Sequence, residues 1–205
     1  SEHDGVRYLH LDSIWVQGAM RIRQPQVVVL EYVQRMLAAL LWRPPEALGQ
    51  GRAVQLGLGA GAITRFTVKA LKLPTTVVEI NPQVEFIARQ YFKLPDDPRR
   101  LDVVIGCGAD FMLGGERRFD LILVDGFDPD AKAGALDTDP FYQACRARLS
   151  DSGLCSFNLL GWNKGFKGSV ERIRAAFDDR VAVFPSCDSG NAIAFATGGE
   201  PVDVS

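Results

Sequence analysis

Lysine and histidine are scarce in this 205-residue sequence: six lysines and two histidines stand against seventeen arginines. No block of like charge occurs, and 23 basic against 25 acidic residues leave a formal charge of −2. The steering field that draws a protein onto a phosphate backbone is therefore missing, and no nucleic-acid partner is expected. There are four cysteines, Cys107, Cys145, Cys155 and Cys187, far apart and without the paired spacing of a metal site. His3 and His10 add no ligand pattern, so reduced thiols and no metal are expected. No apolar stretch approaches the roughly 20 residues that cross a bilayer, and no basic-then-apolar stretch opens the sequence, so a cytoplasmic setting without a membrane partner is expected. Internal repeats are absent. A hydrophobic content of 47% over this length suffices for one well-cored domain and is short for two. A single domain over 1–205 is expected, with a flap at 1–24 and a polar tail at 199–205.

The stretch that organises the rest is Ala53 to Thr64, an apolar run that breaks into alternate glycines Gly57, Gly59 and Gly61 and then turns helical. This reads as strand, tight turn and helix start, the geometry that brings backbone N–H groups close to a ligand. A second apolar strand, 75–80, carries Glu79 near its end, 22 positions after Gly57. A carboxylate at about that distance accepts hydrogen bonds from ribose hydroxyls in doubly wound sheets. Glycines and Glu79 together point to a nucleoside site.

Before this core, Arg7 to Arg23 show short β-like runs divided by Asp12-Ser13, the signature of a hairpin flap. Val27 to Trp42 reads as a largely buried helix between Pro25 and Pro44-Pro45. After it, strands are expected at 53–58, 75–80, 101–105, 119–124, 154–160, 180–184 and 191–196. Helices are expected at about 61–72, 82–93, 140–149 and 168–177, with Asp139 as an N-cap. The last two strands, joined only by a loop, suggest an antiparallel pair at one edge. The whole fits a seven-stranded α/β nucleoside-binding sheet.

Ligands of such sheets lie beyond the carboxyl ends of the strands. Glu79, Asp110 in the loop after the third strand, and Asp125 after the fourth should line one cleft, with Asp110 suited to the exocyclic amine of adenine. Asp125-Gly126-Phe127-Asp128-Pro129 is the most informative cluster. Two carboxylates three apart can hold a cationic amine, and one can take the proton an ammonium loses before it attacks carbon. Phe127 between them can face a cation or an alkyl chain. An amine substrate and alkyl transfer are implied, and Gly126 to Thr138 has the length and composition of a gating loop. Trp15, Trp42, Trp162 and Tyr32 read as packing residues.

These residues resemble the spermidine synthase family of polyamine aminopropyltransferases in a short bacterial form, from about Arg7 to Gly198. The matching pieces are 17–20, 56–61, 78–82, 108–110, 124–129, Phe141-Tyr142 and 189–195. The resemblance implies a Rossmann-like, seven-stranded sheet of the class I S-adenosylmethionine-dependent methyltransferase type with a short N-terminal β-flap. It implies transfer of an aminopropyl group from decarboxylated S-adenosylmethionine to a diamine such as putrescine. Carried over by position, Glu79 binds the ribose, Asp110 the adenine, Asp125 deprotonates the amine and Asp128 anchors its far end. Gln17 and Gln34 correspond to glutamines near donor and acceptor, and a homodimer is left open. Two positions depart from the pattern. Ala60 stands where the family has an aspartate for the donor's ammonium, and Val33 stands at a tyrosine position, with Tyr32 one step out of phase. Two alternatives therefore stay open: an S-adenosylmethionine-dependent small-molecule methyltransferase, and a catalytically silent nucleoside-binding homologue.

Overall fold

The computed structural model describes residues 1–10, 16–127, 134–162 and 164–199. Among the described residues the N-terminal segment forms an antiparallel sheet of three strands, β1 (Glu2–His3), β2 (Val6–Leu9) and β3 (Gly18–Arg21). Asp4 and Gly5 both have positive φ, 48° and 73°, which makes the β1–β2 connection the two-residue turn that an Asp-Gly pair favours. The Asp12-Ser13 turn and Trp15 lie outside the described residues. Strands β2 and β3 pair in register, Val6 with Arg21 and Leu9 with Gly18.

The helix expected at 27–42 is shorter. Helix α1 covers Glu31–Leu37 and continues as a 3₁₀ segment, Ala38–Trp42. Val27, Val28 and Val29 are β-branched and poor helix formers, and they lie ahead of the helix rather than within it. Nor is the helix apolar all round: Val33, Met36 and Leu37 are buried, whereas Glu31 and Gln34 face solvent.

The main sheet is built, among the described residues, from β4 (Ala53–Leu56), β5 (Thr75–Glu79), β6 (Leu101–Ile105), β7 (Phe119–Val124), β8 (Leu149–Leu160), β9 (Val181–Val183) and β10 (Asn191–Thr197). Their order is β6-β5-β4-β7-β8-β10-β9, parallel except for β10, which runs antiparallel to both β8 and β9. The expected antiparallel edge pair is present, with β10 inside and β9 at the edge. Strand order reverses between β4 and β7, and that switch point opens a crevice at the carboxyl ends.

Among the described residues five helices accompany these strands. These are α2 (Ala62–Arg65, continued as a π-helix over Phe66–Ala70), α3 (Pro82–Tyr91), α4 (Gly108–Leu113), α5 (Asp139–Arg148) and α6 (Phe166–Ala176). Alternation along the strands feeds two cores. Val54, Leu56, Ile122 and Val124 join Phe141, Tyr142, Phe157 and Ile173 on one face. Ala53, Leu121, Leu123 and Ile193 join Val33, Met36 and Leu40 on the other.

Three further local expectations are corrected. Asp110 is in the first turn of α4 rather than in a loop. Asp139 is the first helical residue of α5, and Thr138 is its N-cap, the hydroxyl accepting from the Phe141 N–H. The strand expected at 154–160 starts earlier, at Leu149, and Asp151-Ser152-Gly153, which read as a turn ahead of it, form a bulge inside β8, where the register with β7 jumps from Phe119–Leu149 to Leu121–Leu154. All four cysteine thiols are free. The tail from 200 onward lies outside the described residues.

Candidate active site

The glycine turn lies between β4 and α2. Gly57 has φ 89°, and a Cβ there would collide with the Asp125 carbonyl. Only glycine lets the end of β4 pass the end of β7 this closely, and the pair is pinned by the Asp125 N–H donating to the Leu56 carbonyl at 2.8 Å. Gly59, φ 51°, is pressed from above: a Cβ would stand 2.9 Å from the Gln17 carbonyl oxygen. Gln17 is half-buried and tied to β2 by its N–H donating to Leu9 at 2.9 Å, so the flap closes over the turn. Gly61 precedes α2 as its cap in the left-handed conformation.

Beneath the turn lies a cation that sequence reasoning passed over. Arg65 is 4% exposed and donates to the carbonyls of Ala60 and Phe92, each at 2.6 Å, and of Pro25 at 2.8 Å. Burial lowers its pKa to about 10, so it stays protonated at neutral pH. It fastens the turn to the end of α3 and to the segment before α1.

Glu79 ends β5 and is buried. Its Oε2 accepts from the Leu58 N–H at 2.8 Å and its Oε1 from the Asn81 N–H at 2.9 Å. Two lone-pair positions remain on the carboxylate for a hydroxyl pair. Asp110, exposed at the start of α4, follows the end of β6. Both carboxylates thus occupy the carboxyl-end side of the sheet, as their sequence positions imply.

Asp125 follows β7 and is half-buried. Its Oδ1 accepts from the Asn158 side-chain amide at 2.8 Å, and its Oδ2 from the Tyr32 hydroxyl at 3.4 Å. Burial pushes its pKa up to about 7. The two donors pull it down, less strongly, and the Glu79 charge adds to the rise. The Tyr32 hydroxyl is in turn raised well above the usual phenol value by burial and by the facing Asp125. Phe127, two residues on, is half-buried at the same loop. Asp128 lies outside the described residues.

The expectation for α1 is overturned here. Tyr32, not Val33, faces the site, while Val33 is 2% exposed and packs in the core with Met36 and Leu37. The resemblance sets Gln34 beside the acceptor and the tyrosine position just before it, at Val33, and the structure supports neither placement. Two positions beyond Tyr32, Gln34 is turned about 200° around the helix, and its amide donates to the Val28 carbonyl at 2.8 Å. The structure does not bring Gln34 to the carboxylates.

Ala60 is 2% exposed and sits in a small apolar cluster with Leu9, Met20 and Phe92, directly under Gly18. A longer side chain has no room there with the flap in place. Asn158 and Asn191 were missed as site residues. The available signal was an asparagine inside the apolar run 154–160, since a buried amide needs a partner.

The reversed strand order, the glycine turn and the acidic strand end define a class I S-adenosylmethionine-dependent methyltransferase-type fold. Solved structures agree. Human methyltransferase-like protein 13 in complex with SAH superposes with a TM-score of 0.75 at 26% identity, over 84% of each chain. The spermidine synthase of Thermotoga maritima superposes with 0.64 at 27%, over 82% of this chain and 62% of that one. The chain belongs to the spermine/spermidine synthase domain family, whose model matches residues 55–158. It is 35% identical over 98% of its length to a protein of Neisseria meningitidis serogroup A named polyamine aminopropyltransferase, covering 76% of that protein.

Proposed function

We propose that the protein transfers an aminopropyl group from decarboxylated S-adenosylmethionine to a diamine such as putrescine, with Asp125 as the base. The observation that carries this is Asp125 itself, a carboxylate beside the glycine turn with its pKa pushed up to about 7. A base poised near the working pH combines sufficient ionisation with sufficient basicity. The name and 35% identity of the Neisseria relative support the same reaction.

In the proposed reaction the Asp125 carboxylate takes a proton from the acceptor ammonium. The freed nitrogen lone pair attacks the methylene carbon next to the sulfonium, the carbon–sulfur bond breaks, and its electron pair stays on sulfur as methylthioadenosine leaves. Glu79 receives the ribose hydroxyls and Asp110 the adenine amine. Gln17 covers the donor side through the flap, and Phe127 lines the acceptor side. Asp128 is proposed from sequence alone as the anchor of the diamine's far amine. The chain supplies binding, orientation and one proton acceptor.

One observation favours a second reading. Ala60, buried beneath Gly18, offers no carboxylate to the donor's ammonium, which lowers the discrimination against intact S-adenosylmethionine and methyl transfer. Incubating the purified chain with each donor separately against a panel of diamines, and weighing the products, decides between them. An aminopropyl adduct with methylthioadenosine release supports the first reading. A methyl adduct supports the second, and saturable nucleoside binding without product supports a silent homologue.

A further inference from the structure

Asn158 is more than a neighbour of Asp125. Its amide has two ends, and both are engaged: Nδ2 donates to Asp125 Oδ1 at 2.8 Å, and Oδ1 accepts from the Asn191 amide at 2.9 Å. Asn191 passes the pattern on, its own Oδ1 accepting from the Ser189 hydroxyl at 2.7 Å. Ser189 Oγ lies 3.0 Å from Cys187 Sγ, and that thiol donates to the Asn191 backbone carbonyl at 3.2 Å. The two asparagines stand on neighbouring antiparallel strands, β8 and β10, with Asn158 opposite Ile193 and Asn191 opposite Leu160.

The direction of these bonds is forced. A flipped Asn158 would turn its carbonyl on the Asp125 carboxylate and its NH2 on the NH2 of Asn191, two repulsions at a side chain only 5% exposed. The two carboxylate oxygens are held unequally. Oδ1 has a short bond to an amide that cannot turn, whereas Oδ2 has a 3.4 Å contact with a hydroxyl that can rotate. That hydroxyl donates to a carboxylate and accepts from a carboxylic acid.

We infer that Asn158, Asn191 and Ser189 form a one-way chain that fixes Oδ1 of Asp125 as a permanent acceptor and leaves Oδ2 as the oxygen that takes the proton of the attacking amine. This rests on the reading of Asp125 as the base. The chain needs no rearrangement when the proton arrives, because Oδ1 accepts from Asn158 in both protonation states, a form of preorganisation. Asn158, Asn191 and Ser189 are positioning residues. Among the described residues, the titratable groups acting on Asp125 are Glu79 from β5 and Tyr32 from α1, with Cys187 acting on Tyr32 from the segment before β10.

The test reads the carboxyl carbon of Asp125 by NMR during a pH titration of the ligand-free chain, with Asp125→Asn assigning the resonance. Asn158→Leu is expected to raise the midpoint by about one unit or more. Asn191→Leu, which does not touch Asp125, is expected to raise it by less, and Tyr32→Phe to raise it by less than Asn158→Leu. An unmoved midpoint in folded Asn191→Leu overturns the chain, and a larger shift in Tyr32→Phe than in Asn158→Leu overturns the assignment to Oδ2. If Asn191→Leu does not fold, Ser189→Ala cuts the chain one bond further out, and an unmoved midpoint there overturns it equally. The titration needs no turnover. Full turnover by Asp125→Asn would sink the base while leaving the chain's own result readable.

Discussion

The Tyr32 hydroxyl donates to Oδ2 of Asp125 across 93 positions of sequence, joining the first helix to the end of the strand beside the glycine turn. At 3.4 Å the contact is long, so its energetic effect is modest. Tyr32→Phe should therefore leave the fold intact and move the rising limb of the kcat/KM pH profile upward by less than one unit. Activity should fall several-fold at pH 6.5 and recover by pH 9. A uniform loss at all pH values would assign Tyr32 to substrate contact instead.

Asp125 should cost stability at the pH where it works. Its folded pKa of about 7 lies above the ordinary aspartate value of 3.8, so between these values the folded state holds the proton more tightly than the unfolded chain. Stability from this group is unperturbed below pH 3.8, declines as pH rises through the window, and levels off above about 7. Asp125→Asn removes the penalty while keeping an acceptor for Asn158. The variant should be more stable than the native chain by on the order of 2–4 kcal/mol at pH 8.5, and the gap should narrow toward pH 4. Urea unfolding at several pH values measures it.

Glu79→Gln tests the other end of the site. The carboxylate accepts from two backbone N–H groups, at Leu58 and Asn81, and an amide can offer its single oxygen to only one of them. The substitution should destabilise by about 1–3 kcal/mol and weaken nucleoside affinity by roughly one to two decades. Calorimetry with methylthioadenosine and thermal melts separate the two effects. Unchanged affinity would remove the ribose from Glu79.

Ala60→Asp, which restores the family's residue, should not restore the family's site with the flap seated. A carboxylate in the apolar cluster under Gly18, beside Leu9 and Met20, lacks a partner and costs roughly 2 kcal/mol or more. The flap should lift, and amide exchange of β3 should accelerate relative to β4. Unaltered exchange with tighter binding of the decarboxylated donor would show that the flap yields easily.

The central parallel strands β4, β5 and β7 were legible because each is a short apolar run ending at a turn residue, and burial on both faces writes that pattern without ambiguity. Glu79 and Asp125 were legible for the same reason, being the polar residues that close such runs. Helix α1 was misread because Val27 to Val29 continue its apolar character while their β-branching resists the helix. Asp110 reads as a loop residue because Gly108 and Ala109 look like turn residues, yet they open α4. Tyr32, Asn158 and Asn191 were not identified as site residues because their roles arise only when α1, β8 and β10 meet at Asp125. A one-residue error of phase on α1 was enough to exchange Tyr32 for Val33.

The most direct measurement is the pH profile of kcat/KM for methylthioadenosine release from decarboxylated S-adenosylmethionine and putrescine, in the native chain and in Asp125→Asn. The account predicts a native rate that rises with a midpoint near pH 7, and a variant slower by at least ~100-fold with that limb gone. A variant that keeps both the rate and the limb would contradict Asp125 as the base.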